Sequence, residues 1–306
     1  MASAERTIES HVWLRATFSS SACKVNFPKP AKIKDAGDVE AAANQLRVRW
    51  GIRNRIIGGL VGLAESNGVI VVDHSGVERD RQFDGLSGWS NDAYPVVVIS
   101  TNTPDDRIRH TLAHELGHLA MDCSSFSAME EETFAHRFAS AFLVPAEALR
   151  SELGDRRRNV SLREFAVLKR KYGMSMQGLV RRALDLAIIS QAHYSALCRQ
   201  FSSMGWRKRE PVDFEGDERP TQLLQMTLRA LAEGIISEEK AEQICPGCSQ
   251  TEVVPNSNIG PQQLRKMPRE VRMAILEAAA TSAESDYLND KRLTDFEAFD
   301  GEYLDG

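Results

Sequence analysis

His114-Glu115-Leu116-Gly117-His118 is the stretch on which the reading of this chain turns. It has the form H-E-x-x-H. On a helix its two histidines stand one turn apart and project from one face. Two imidazoles so placed can grip one Zn²⁺, and the glutamate between them can work on a water held there. Three fixed residues recur by chance at about one position in 8,000, so on the order of 4% of chains this long carry the pattern by accident. What surrounds the motif therefore decides its meaning.

The surroundings are those of a helix beside two strands. Thr103-Pro104-Asp105-Asp106 is a helix start signal, with acids at the positive end of the dipole. The helix expected from Asp105 to Met121 carries the motif, with Leu112, Ala113, Leu116 and Leu119 as its apolar face. Upstream, Val69-Ile70-Val71-Val72 and Pro95-Val96-Val97-Val98-Ile99-Ser100 read as strands. Val39, Ala42, Ala43, Leu46 and Trp50 fall at helical spacing up to Gly51, and Ile56–Ser66 reads as a short helix. Residues 1–38 read as an irregular arm, broken at Ser19-Ser20-Ser21 and Pro28-Lys29-Pro30. Downstream, the spacing predicts helices over Met129–Phe142, Ser161–Tyr172, Ser175–Ser190, Gln191–Phe201, Thr221–Glu233, Ser237–Ile244 and about Pro268–Tyr287. A tail from Thr294 holds five acids and no base.

A hydrolytic zinc takes three protein ligands and keeps one position for water. His114 and His118 supply two. Glu130, Glu131 and Glu132 open the next helix, and Glu132 is the preferred third ligand. It stands near the helix start, and Ala135, Phe138 and Ala139 after it can pack on the motif helix. Each of the three glutamates could instead be an N-terminal acid favoured by the dipole, so Glu131 stays open as a ligand. His136, one turn beyond Glu132, is a ligand, a hydrogen-bond partner of a ligand, or a packed histidine. Glu115 is the expected general base. Tyr94, His110, His136 and Tyr172 are candidate donors to a transition-state oxyanion.

Two longer patterns add to this. One is Arg107-x-Arg109-x-Thr111-Leu112-Ala113-His114-Glu115-Leu116-Gly117-His118. The other is Glu132-x-x-Ala135-x-x-Phe138-Ala139-x-x-Phe142-Leu143-Val144-Pro145. With Leu46-Arg47-x-x-Trp50-Gly51, the stretches Gly68–Val72 and Ser87–Trp89, and Trp206–Pro211, the chain resembles the ImmA/IrrE family of zinc metallopeptidases over about residues 39–215. The resemblance implies an α+β fold: a small twisted sheet packed on the H-E-x-x-H helix, a zincin-like core, then a helical C-terminal region. It implies Zn²⁺ held by His114, His118 and Glu132, with Glu115 as base. It implies a protein substrate, a helix-turn-helix repressor on a separate chain, in stress, mobile-element or phage-defence control. This chain departs from the pattern at His136, where Asn or Asp is usual, and at His110, where an aromatic is usual.

The expected division is an arm over 1–38, a peptidase core over 39–150, a helical subdomain over 151–215 and a helical extension over 216–306. Within the third, Tyr172-Gly173-Met174-Ser175 joins two helices in a helix-turn-helix outline beside Lys169-Arg170-Lys171 and Arg181-Arg182. A DNA- or partner-binding regulator with a structural zinc is thus the alternative. A solvated basic face of a packed subdomain is the favoured reading of these cations.

Composition limits the classes. With 306 residues and a net charge of −5, the chain is not built to coat nucleic acid. No apolar run approaches the ~20 residues that span a bilayer. The N-terminal MASAERTIES does not read as a secretory signal. Five scattered cysteines fit reduced thiols in a cytoplasm. Cys245-Pro-Gly-Cys248 lacks the second pair that a structural zinc needs.

Overall fold

Alternation of side chains along one short strand, Tyr94–Ile99, sets the architecture. In the computed structural model it lies between two others and buries both faces. The structure describes residues 2–18, 24–74, 85–91, 93–248 and positions 269, 272, 273, 276, 277 and 280. The chain divides into two units, Met1–Cys248 and Ser249–Gly306.

The first unit runs α1 (Ala2–Thr17), β1 (Ala31–Lys32), α2 (Ala36–Arg49), α3 (Leu60–Ser66), β2 (Ile70–Asp73), β3 (Gly85–Ser90), β4 (Tyr94–Ile99), α4 (Asp105–Ala120), β5 (Met121–Asp122) and α5 (Ala128–Leu143). It continues with α6 (Ala146–Leu153), α7 (Leu162–Tyr172), α8 (Met176–Asp185), α9 (Gln191–Ser203), α10 (Gln222–Ala232) and α11 (Glu238–Ile244). The three-stranded sheet has the order β2-β4-β3, parallel between β2 and β4 and antiparallel between β4 and β3. This is the expected α+β arrangement, a small sheet on the motif helix followed by helices.

Period-two alternation sends Val71, Val97 and Ile99 into the main core with Leu112 and Leu116 of α4. Ile70, Val72, Val96 and Val98 face the other way, against Ala4, Ile8 and Val12 of α1. The irregular arm expected over 1–38 is therefore corrected: its first half is a helix. Its apolar residues are shared between two neighbours, since Leu14 and Phe18 pack with Met226, Ala230 and Ile244. Splitting them over two faces erases the single stripe that periodicity detects. Arg15, buried, donates to the carbonyls of Gly68 at 2.7 Å and Val69 at 3.2 Å.

Two buried arginines fix the helices that matter most. Arg47 of α2 donates to the carbonyls of Arg53, Arg55 and Phe142, binding the loop after α2 to the last turn of α5. Arg109 of α4 donates to the carbonyls of Gly58, Ile57 and Tyr172 and pairs with Glu218 at 2.6 Å, both side chains fully buried. Glu218 also accepts the Leu60 and Val61 amides at the start of α3. Pro145 opens α6, a helix that the periodicity did not reveal.

Of the second unit, the six described positions are helical. Most of the helix expected over Pro268–Tyr287, the acidic tail from Thr294, Cys23 and Ser19–Ser21 lie outside the described residues.

Candidate metal and catalytic site

The α4 face turned toward α5 carries His110, His114 and His118 at successive turns. α5 approaches closely because Gly117 has no side chain: a Cβ there would lie 3.1 Å from the Phe138 ring. The start of α5 is fixed by a capping box, in which the Glu130 carboxylate accepts the Ser127 amide at 2.9 Å and the Ser127 hydroxyl accepts the Glu130 amide.

Three successive glutamates then take three different places, because a helix turns about 100° per residue. Glu130 caps. Glu131 lies 3.1 Å from Nδ1 of His118, the outer nitrogen. Glu132 lies 3.2 Å from Nε2 of His114 and 3.5 Å from Nε2 of His118. The two Nε2 atoms are themselves 3.2 Å apart.

Burial, with His136 and His118 nearby, lowers the pKa of His114 to about 4, so its imidazole is neutral at neutral pH. Among the described residues its Nδ1 is buried without a hydrogen-bond partner. Two imidazole nitrogens and the two oxygens of one carboxylate thus converge, an arrangement that a cation stabilises. Zinc–nitrogen distances of about 2.0–2.1 Å at a tetrahedral angle put ligand atoms about 3.3 Å apart. The spacings here match that edge length. The Glu131 carboxylate on the outer nitrogen of His118 is the contact that orients a metal-binding histidine. The residues present therefore fit a zinc ion.

Glu115 lies between this cluster and the sheet, close enough to His118 and Glu132 for their charges to act on it. Its Oε2 accepts the Ser87 hydroxyl at 2.7 Å. Ser87 is opposite Val97 in the register, so it faces α4. Burial raises the Glu115 pKa, and the Ser87 hydrogen bond partly opposes the rise. Gly85, two residues before Ser87, leaves room: a Cβ there would come within 2.8 Å of Glu115 Oε1. Sequence reasoning gave neither Ser87 nor Gly85 a role beside Glu115. The period-two spacing of Gly85, Ser87 and Trp89 was the available signal.

The other candidates separate. The His110 and His136 rings stack with centres 5.5 Å apart, and His136 is 4.4 Å from His114. The structure thus brings both to the cluster. Burial, with His136 and His114 nearby, lowers the pKa of His110 to about 4; partial desolvation lowers that of His136, although its side chain still reaches solvent. Tyr94 is not brought there. It lies on the α1 face of the sheet, with the Arg15 guanidinium 5.5 Å from its ring centre. Nor is the Tyr172 hydroxyl, which donates to Glu152 at 3.0 Å; burial and that carboxylate push its pKa up to about 12.

The helix-turn-helix outline exists as α7, a left-handed turn at Gly173, and Ser175-capped α8. Its cations are mostly engaged. Lys169 pairs with Asp106 and Glu210, Lys171 with Glu152, Arg181 with Asp185 and Arg182 with Glu40. Cys245 and Cys248 are not joined in a disulfide. No helix of the described residues is long and apolar enough to cross a membrane.

Residues 69–184 match a family model described as the IrrE N-terminal-like domain, of the M78 peptidases. Seven chains of solved structures match. One is a Mycobacterium tuberculosis transcriptional regulator, at 19% identity and a TM-score of 0.35, over 47% of this chain and 46% of that one. No curated protein matches the chain.

Proposed function

We propose, for a chain whose residues 69–184 belong to the IrrE N-terminal-like family of M78 peptidases, that it is a zinc-dependent metallo-endopeptidase cutting a specific protein substrate. The observation that carries this reading is the convergence of His114 Nε2, His118 Nε2 and the Glu132 carboxylate within 3.5 Å of one another. Glu115, in the next position along the helix, stands beside them on the Ser87 hydroxyl.

His114, His118 and Glu132 would hold the ion, and Glu131 would orient His118. Zinc there supplies a lowered pKa for water and polarisation of the scissile carbonyl. Glu115 takes a proton from the attacking water and passes it to the leaving amine. Its raised pKa improves it as an acceptor, and Ser87 keeps one carboxylate oxygen directed while the other is free for the proton. Among the described residues β3 is an edge strand, and it lies beside Glu115. That edge suits an extended peptide added as a further strand.

The substrate we infer is a helix-turn-helix transcriptional repressor on another chain in the cytoplasm, its cleavage switching on a stress, mobile-element or phage-defence response. Direct DNA contact through α7 and α8 draws little support, since four of their cations already face carboxylates. The test is incubation of the zinc-loaded chain with any helix-turn-helix protein found encoded near it, followed by mass spectrometry. Cleavage at one bond that stops in Glu115→Gln is expected. Undiminished cleavage in that variant overturns the reading.

A further inference from the structure

Four ligand-type side chains meet at this centre. His136 projects from α5 one turn beyond Glu132. Ligand atoms of His114, Glu132 and His136 all lie within 4.8 Å of one another. His114, Glu132 and His118 close a tighter triangle of 3.2 to 3.5 Å. The two triangles share the His114–Glu132 edge; the 4.8 Å limit exceeds the ~3.3 Å edge of a zinc tetrahedron, so His136 would have to move inward to join the same ion. The His110 ring, stacked on His136 at 29°, backs that imidazole.

We propose that His136 is a fourth protein ligand of the centre. Three imidazoles and one carboxylate close the resting site, and His136 must leave before a substrate carbonyl can enter. This rests on the metallopeptidase reading above. A catalytic zinc keeps one position open, whereas four protein ligands make a closed centre. The closure is releasable, because His136 is exposed while His114 is buried. The protein is then latent until something displaces one imidazole, and a bound substrate or partner pressing on the first turns of α5 is suited to do so.

X-ray absorption on the zinc-loaded full chain tests this, with His136→Ala and His136→Asn alongside. Three imidazoles per zinc are expected in the wild type and two in each variant. Zinc affinity should fall by about tenfold or more, since even outer partners of a ligand contribute about 10–100-fold. In the cobalt-substituted protein, acetohydroxamate should perturb the visible spectrum at lower concentration in the variants than in the wild type. Two imidazoles in wild type and variants alike overturn the assignment while leaving the metallopeptidase reading intact. A wild-type chain that takes up no zinc overturns both.

Discussion

Glu115 carries two opposed demands. Burial raises its pKa and suits it to accept a proton, yet a buried carboxylate costs stability wherever it is ionised. Glu115→Gln should therefore lower peptide cleavage by about 10²–10⁴-fold while the thermal midpoint of the metal-free protein stays level or rises. A fall in that midpoint would place Glu115 in the fold rather than the chemistry. Gly85→Ala makes a second test. Its Cβ would meet Glu115 Oε1 at 2.8 Å, so the carboxylate must shift. A displacement of about 1 Å can cost about 10²-fold in rate. Cleavage should drop with zinc content unchanged, and parallel loss of both would contradict the placement. At this scale the motif itself was legible, because a four-residue spacing on a helix needs no partner to be meaningful. Ser87 was not, because only the strand register brings it across 28 positions to Glu115. Tyr94 and Tyr172 illustrate the converse: a side chain of the right type, sent elsewhere by the face on which it falls.

α5 decides which carboxylate meets the histidines. Glu130, Glu131 and Glu132 are alike in sequence, and their separation depends on how α5 is rotated and how closely it approaches α4. Ser127 and Glu130 set its first turn, Gly117 sets the approach, and Arg47 secures its far end at the Phe142 carbonyl. Ser127→Ala should cost about 1 kcal/mol, read as a lower denaturant midpoint, with weaker zinc binding as the first turn frays. Gly117→Ala sets a helix-propensity gain of about 1 kcal/mol against overpacking on Phe138 of about 1–3 kcal/mol. The overpacking should push α5 away and weaken zinc binding. Zinc retention equal to wild type in that variant would show that the helix spacing does not matter to the site. The capping box stands in the sequence as Ser127-x-x-Glu130, but sequence reasoning did not draw on it. The choice between Glu131 and Glu132 was not legible, since it is a tertiary result. α1 escaped for a similar reason, its apolar residues being divided between the sheet and α10.

Across the whole first unit, the segment after α9 acts as a strap. Glu210 accepts the Met176 and Gln177 amides, the Asp105 carboxylate accepts the Gly216 amide, and Glu218 meets Arg109 and the start of α3. The familiar Trp206–Pro211 stretch thus has a structural task. Arg109→Met leaves Glu218 buried without its cation and should cost about 3–5 kcal/mol. The double variant with Glu218→Gln should cost less than the sum of the two single changes. Strict additivity would deny the coupling.

Acid should act on the same unit through its buried histidines. Burial lowers the pKa of His11 to about 3, and burial with neighbouring histidines lowers those of His110 and His114 to about 4. The unfolded chain, with histidines near 6.5, binds more protons than the folded one between those values. Their contribution is complete above pH 6.5 and is lost as pH falls toward 4; Glu115, shifted upward, works in the opposite sense. The denaturant midpoint of the metal-free protein should fall across that window, and a flat profile would contradict the burial of these rings. The zinc content of the purified full chain, compared with Glu132→Ala and Glu131→Ala, tests the central claim most directly. Equimolar zinc in the wild type, clearly lowered in Glu132→Ala and largely kept in Glu131→Ala, is the predicted result. A wild type free of zinc, or undiminished zinc in Glu132→Ala, would contradict it.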